Sequence, residues 1–191
     1  MGRSTSKAKG TAHTPPDEAV VVNGYTLLFH PALVAQLERL LLGVTRDGTR
    51  VSKSGTQSIG TAATSNAKVL AHLYHAMLSD IPANPAAAAY RQGNGLGDKR
   101  RHWFRDKFGT GRFRLFFRFR QDLRLIVYGW VNDSETLHAY DSTTDAYRRF
   151  GQMLDAGTPP DDWPTLLAQA QAPESSARTR GALARAKKLI K

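Results

Sequence analysis

The chain has 191 residues, with 27 Lys and Arg against 16 Asp and Glu and no cysteine, for a formal charge of +11 and a pI near 10.3. That length suits one domain with a good core. The missing cysteines exclude disulfides, thiolate nucleophiles and cysteine metal sites, and no apolar run approaches the ~20 residues of a membrane span. So large a positive charge points to a polyanionic partner: RNA, DNA, a ribosome or an anionic membrane.

Residues 1–19 are rich in Ser, Thr, Lys, Gly and Pro, have little to bury, and read as a disordered arm. They are basic but lack the apolar stretch of a secretory signal, so a cytoplasmic protein is the expectation. Val20 to His30 is rich in β-branched and aromatic residues and reads as the first strand. Pro31 suits the first turn of a helix, in which Leu33, Val34, Leu37, Leu40, Leu41 and Val44 recur at helical spacing. Thr45 to Ser58 reads as a loop. A second helix is expected from Ile59 to Ser79, buried along Ala63, Val69, Leu70, Leu73 and Met77. His72 and His75 on it have no carboxylate placed beside them and read as surface or boundary histidines. Pro82 and Pro85 end this helix. Gly93, Gly95 and Gly97 neither follow a strand nor open a helix, so they are not a phosphate loop.

The most informative stretch runs from Trp103 to Phe119. Between Arg112 and Arg120 the residues separate by parity. Phe113, Leu115, Phe117 and Phe119 fall on one face, and Arg112, Arg114, Arg118 and Arg120 on the other, with only Phe116 among them. Gly109-Thr110-Gly111 is a hairpin signal, and across it Arg105 and Lys107 share the parity of the arginine row. From Asp98 to Arg124 there are ten basic residues and three acids. Like charges side by side on a sheet repel, and an anion on that face relieves them. Asp106, on the otherwise apolar face, is expected to pair with a neighbouring arginine.

Arg124 to Val131 is apolar on both parities and reads as a central strand covered on two sides. Glu135 to Tyr140 reads as a short helical piece. Ser142 to Asp145 has capping-box spacing and should open a helix that turns Tyr147, Phe150, Met153 and Leu154 inward. Gly157 suits its C-terminal cap, and Pro159-Pro160 prevents continuation. A last short helix is expected from Trp163 to about Ala170. Beyond it the composition becomes basic again, with helix-forming Ala and Leu, and the segment reads either as a solvated, poorly ordered tail or as one that folds on contact with RNA. The expected organisation is therefore a disordered arm over 1–19, a folded domain over 20–171 and a basic tail over 172–191.

Several stretches resemble the YhaV family of bacterial toxin–antitoxin toxins, within the RelE-like superfamily. They are Val22-Asn-Gly-Tyr25 with His30-Pro31, Lys107-Phe-Gly-Thr-Gly-Arg-Phe-Arg-Leu-Phe-Phe-Arg118, Gly129-Trp-Val-Asn-Asp133 with Thr136-Leu137, Thr144-Asp-Ala-Tyr147 and Pro159-Pro-Asp-Asp-Trp163. The resemblance spans roughly Val22 to Leu167 and leaves out both ends of the chain. It implies an α+β, RelE-like fold: a twisted antiparallel sheet with helices packed on one face and disordered N- and C-terminal tails.

The activity so implied is an mRNA endonuclease that acts at the ribosome without metal or other cofactor, is neutralised by a cognate antitoxin of the PrlF type, and meets operator DNA only in the toxin–antitoxin complex. It places Arg114 at the phosphate-stabilising arginine, Lys107 and Arg105 at paired basic positions, and Tyr140 near a C-terminal tyrosine. A further basic position of the superfamily falls at Asn132-Asp133, where this chain departs, and either Arg112 or Arg101 is the substitute or the chemistry differs.

Metal-free RNA cleavage must deprotonate a 2′-OH, stabilise a pentacoordinate phosphate and protonate the leaving 5′-oxygen. Arg112 and Arg114 are the candidates for the second task. Lys107, set among cations, is the candidate general base. Tyr140 or His138 is the proton donor, or Tyr140 stacks a base. Arg101, Arg105, Arg118, Arg120 and His138 would bind RNA. The rival expectation is a non-catalytic RNA- or ribosome-binding module using the same face.

Overall fold

The computed structural model describes residues 19–54, 61–132 and 145–190. The first strand divides into β1 (Val20–Val22) and β2 (Tyr25–Phe29). Between them Asn23 and Gly24 take φ of 51° and 76°, as a two-residue hairpin turn requires. The remaining strands are β3 (Phe104–Phe108), β4 (Phe113–Arg120) and β5 (Leu125–Val131). They form one sheet in the order β1-β2-β5-β4-β3. The β2–β5 pair is parallel and the others antiparallel, so the sheet is mixed where an antiparallel one was expected. β5 lies at the centre with all seven residues buried, as its unbroken apolar run demands.

The longer helices among the described residues are α1 (Pro31–Ser54), α2 (Thr61–His75), α3 (Asp145–Asp155), α4 (Trp163–Gln171) and α5 (Pro173–Leu189). α1 continues through most of the stretch read as a loop. No proline falls there, and a lone Gly48 costs only about 1 kcal/mol. α2 runs on into a π-helical turn, Ala76–Asp80, before Ile81 and Pro82. Positive-φ Gly157 closes α3, with the Thr158 N–H bonded to the Met153 carbonyl at 2.9 Å.

Helices cover both faces of the sheet, not one. On the first face Leu27, Phe29, Leu115, Phe117, Ile126 and Tyr128 pack against α1, α2 and α5. On the second, Leu28, Phe116, Val127 and Trp130 meet Phe150 and Leu154 of α3 and Leu166 and Ala170 of α4. The α+β architecture is consistent with a RelE-like fold. A bulge at Gly129 lets Phe117 pair with Tyr128 while Phe116 pairs with Trp130. A Cβ at Gly129 would come within 2.7 Å of the Trp103 ring, so glycine is needed there.

Two further expectations change. The C-terminal segment is no disordered tail but the helix α5, which seats Ser175, Thr179, Ala182 and Ala186 on the core. These residues recur at helical spacing, but they are small or polar and give a faint hydrophobic signal. Arg178 clasps Glu38 of α1 at 2.7 and 3.2 Å, and the Ser175 hydroxyl donates to the Phe29 carbonyl at 2.8 Å. Asp106 pairs with His72, not with an arginine, at 2.8 Å, and the His72 ring stacks on Phe108. Residues 1–18 lie outside the described residues, as do Glu135 to Tyr140 and Ser142 to Thr144.

His30, at the junction of β2 and α1, is buried. Its Nδ1 accepts the Ala32 N–H at 3.1 Å, so Nε2 carries the proton and donates to Gln169 Oε1 at 2.7 Å. Burial lowers the His30 pKa, opposed in part by the Gln169 hydrogen bond. The neutral ring is therefore favoured in the folded state. Its contribution is complete above about pH 6.5 and is lost as pH falls toward the folded pKa, because the unfolded chain takes up the proton first. Urea unfolding compared at about pH 7.5 and 5.5 should show a smaller loss of stability in His30→Gln than in the parent. Equal losses would remove His30 from this account.

Candidate functional site

The hairpin of β3 and β4 pairs Lys107 with Arg114 and Arg105 with Phe116. Arg105, Lys107, Arg114, Phe116, Arg118 and Arg120 therefore share the second sheet face, the one that α3 and α4 cover in part. Gly109, Thr110 and Gly111 all take positive φ in the turn. Arg112 lies in this turn and not in the strand, so ladder parity does not aim its exposed side chain.

Most of these cations are engaged by the protein itself. Arg118 lies between the Trp103 and Trp163 rings and donates Nη1–H to the Asp161 carbonyl at 2.6 Å. Burial lowers its pKa, with Asp161 and Asp162 opposing. Arg120 forms a two-bond pair with Asp122, and Arg101 pairs with Asp98, both exposed. Asp161 is a hub: its carboxylate accepts from Trp103 Nε1 at 2.8 Å and Arg100 Nε at 3.2 Å, and meets His102 Nε2 at 2.7 Å. Burial raises the Asp161 pKa, but the His102 and Trp103 hydrogen bonds and the Arg100 pair outweigh it and hold the carboxyl below its ordinary value.

Arg114 differs from all of these. It is 4% exposed, and its Nε and Nη1 have no hydrogen-bond partner among the described residues. Its guanidinium lies 5.0 Å from the centroid of the Tyr147 ring, a cation–π contact that offsets part of the lost hydration. A buried charge with no counter-ion costs several kcal/mol. Two unmet donors on a desolvated cation are an anion site in chemical terms.

Three neighbours hold that site in place. Buried Asn132, just beyond β5, accepts the Arg114 backbone N–H on Oδ1 at 2.6 Å and donates Nδ2–H to the Arg112 carbonyl at 2.9 Å. Its amide thus acts as one more rung of the ladder. At Asn132, where the resemblance implied a basic position, this chain has a clamp on the hairpin. Arg105 donates Nε–H to the Tyr147 hydroxyl at 3.0 Å and Nη1–H to the Ala89 carbonyl at 2.6 Å. Gly95 backs Tyr147 so closely that a Cβ there would fall 2.6 Å from the ring. Lys107 is exposed and lies along Gly111, where an added Cβ would meet its Cε at 2.7 Å.

The structure therefore brings Lys107, Arg105 and Arg114 together with Tyr147, and sets Arg101, Arg118 and Arg120 in other contacts. Tyr140 and His138 lie outside the described residues. Tyr147 is the residue that the sequence reading missed, taking it only for a core aromatic. Its word, Thr144-Asp-Ala-Tyr147, was nevertheless among those that carried the family resemblance. Among the described residues no group of three or more His, Asp or Glu could hold a metal ion, and no helix is long and apolar enough to cross a membrane.

A family model described as a toxin with endonuclease activity, of a toxin–antitoxin system, matches residues 27–171. The chain is 39% identical over 151 residues to the ribonuclease toxin YhaV of Escherichia coli K12, a match covering 78% of this chain and 94% of that protein. Toxin YhaV of Escherichia coli O157:H7 matches to the same extent. No solved structure matches the chain.

Removing the Asn132 amide leaves a buried N–H and a carbonyl without partners, at about 1–3 kcal/mol for such a group. Asn132→Ala should lower unfolding stability by that order and reduce RNA cleavage further than the stability loss explains. Full activity in the folded variant would show that the clamp does not position Arg114.

Proposed function

The chain belongs to the YhaV family of toxins with endonuclease activity, and from that premise we propose that it cuts mRNA on the ribosome, without a metal ion, until a cognate antitoxin neutralises it. The family's activity decides against the non-catalytic RNA-binding module. The observation that carries the chemistry is the buried Arg114 guanidinium with two unmet donors. A phosphate drawn against the Arg114 guanidinium would supply the missing counter-charge. The excess charge that builds on the pentacoordinate phosphate strengthens the same contact, which is the condition for catalysis rather than mere binding.

The rest of the reaction falls to the groups around it. As the general base, Lys107 takes the proton from the 2′-OH, which attacks the adjacent phosphorus. The bond to the 5′-oxygen breaks, and that oxygen must gain a proton. Tyr147 is the described residue best placed to give it, since its oxygen already accepts from Arg105 and its own O–H is left to point at substrate. Arg105 then serves by orienting Tyr147, and Arg112, exposed in the turn, approaches a neighbouring phosphate. The products are a 2′,3′-cyclic phosphate and a 5′-hydroxyl. An acidic or amphipathic antitoxin segment laid across the hairpin end would block this site.

Arg114→Ala should slow cleavage about 10²–10³-fold, or about 2.7–4 kcal/mol, and Arg114→Lys should not restore the rate, because a point charge cannot reproduce the planar fork. Single-turnover cleavage of a defined RNA, with the new ends identified chemically, checks both. A 5′-phosphate product, or a reaction stopped by EDTA, refutes the mechanism. Tyr147→Phe should lose rate with little change in RNA affinity. An unchanged rate would take the proton-donor role away from Tyr147.

A further inference from the structure

The family match ends at residue 171, and α5 follows it. Residues 173–191 hold six basic residues and one acid, so this short segment supplies +5 of the chain's +11. α5 docks on the first sheet face, through small residues, whereas Arg114 serves the second. Neither its packing nor the hairpin site calls for that charge. Arg178 is matched by Glu38, but Arg185, Lys187 and Lys188 are exposed and form no ion pair among the described residues. A surface needed only for solubility mixes both signs.

We propose that α5 is a second RNA-binding surface, which grips the phosphate backbone of a long or structured RNA while the hairpin engages the bond to be cut. The proposal rests on the RNA-cleaving reading and adds to it where the rest of the substrate lies. From Arg178 to Lys188 the helix runs about 15 Å, enough to meet several phosphates. Between the cations it exposes only Ala177, Gly181 and Ala184, which let a backbone approach closely. A membrane-surface helix needs a broad apolar face, and a protein partner needs large anchors. α5 offers one exposed large apolar residue, Leu189, at its very end. Phosphates ask only for cations in reach.

The test uses the full chain and a stem-loop RNA made uncleavable by 2′-O-methylation, with affinity measured across a salt series. Combining Arg185→Gln, Lys187→Gln and Lys188→Gln removes three cations. The slope of log affinity against log salt should become shallower by about two to three. Cleavage of a short unstructured oligonucleotide, too small to reach α5, should be unchanged, and thermal melting reports that the fold is kept. Lys187→Glu with Lys188→Glu, which shifts the charge by four at only two positions, should weaken stem-loop binding in the same direction.

An unchanged slope overturns the proposal, and so does weakened binding to phosphatidylserine vesicles or to the antitoxin with RNA binding intact. Parallel loss of short-oligonucleotide cleavage would also overturn it, since α5 would then be acting through the hairpin site. Failure of the RNA-cleaving reading shows separately, as absence of cleavage by the unsubstituted protein.

Discussion

An arginine taken out of water must have its charge answered by something, and at Arg114 the described residues supply only an aromatic ring. Other arginines on the same sheet face illustrate the contrast. Arg118 has a carbonyl and two indoles, and Arg120 has a carboxylate. Leaving Nε and Nη1 of Arg114 without partners among the described residues is a standing cost to the fold, and the proposed phosphate contact is what would answer it.

That pocket depends on how the sheet is covered. β5 is apolar on both parities, so it must be roofed on both faces, and the chain supplies α1, α2 and α5 on one and α3 and α4 on the other. The second roof draws much of the arginine row into structural work. Asp161 gathers Arg100, His102 and Trp103, while its carbonyl takes Arg118, fixing the segment that leads into α4. Among the described residues, Lys107, Gly109, Thr110 and Arg112 at the turn end of the hairpin are exposed. There Tyr147, carried by α3, meets Arg105 and Arg114, carried by β3 and β4. The tyrosine reports correct docking of the helix on the sheet, and Asn132 holds the register of the strand it faces.

The two cationic regions so formed sit on opposite sides of the sheet and differ in kind. At the hairpin end a desolvated guanidinium is aimed by packing, and geometry matters more than charge count. On α5 the cations are exposed, on flexible stems, and act through number and salt-sensitive attraction. Precise placement at one surface and loose attachment at the other suit a protein that must cut one bond within a long polymer.

Much of this was legible in the residues alone. Alternation in β4, the glycine turn before it and the two-sided apolar run of β5 fixed the hairpin, its two faces and the central strand, because side-chain parity follows from local backbone geometry. The prominence of Arg114 and Lys107 came from the same parity together with the family words. Other features depended on distant contacts that no local pattern carries. Which arginines would be claimed by Asp161 or Asp122, and which left unpaired, depended on how α3 and the segment before α4 dock across the sheet. Tyr147 looked like one more inward aromatic, since its hydroxyl meets Arg105 only once helix and strand are together. α5 was invisible as a packed element because it buries Ser, Thr and Ala, whose value lies in close approach to α1 and not in hydrophobicity. Local chemistry set the charges and the strands; tertiary packing chose which charge would wait for an anion.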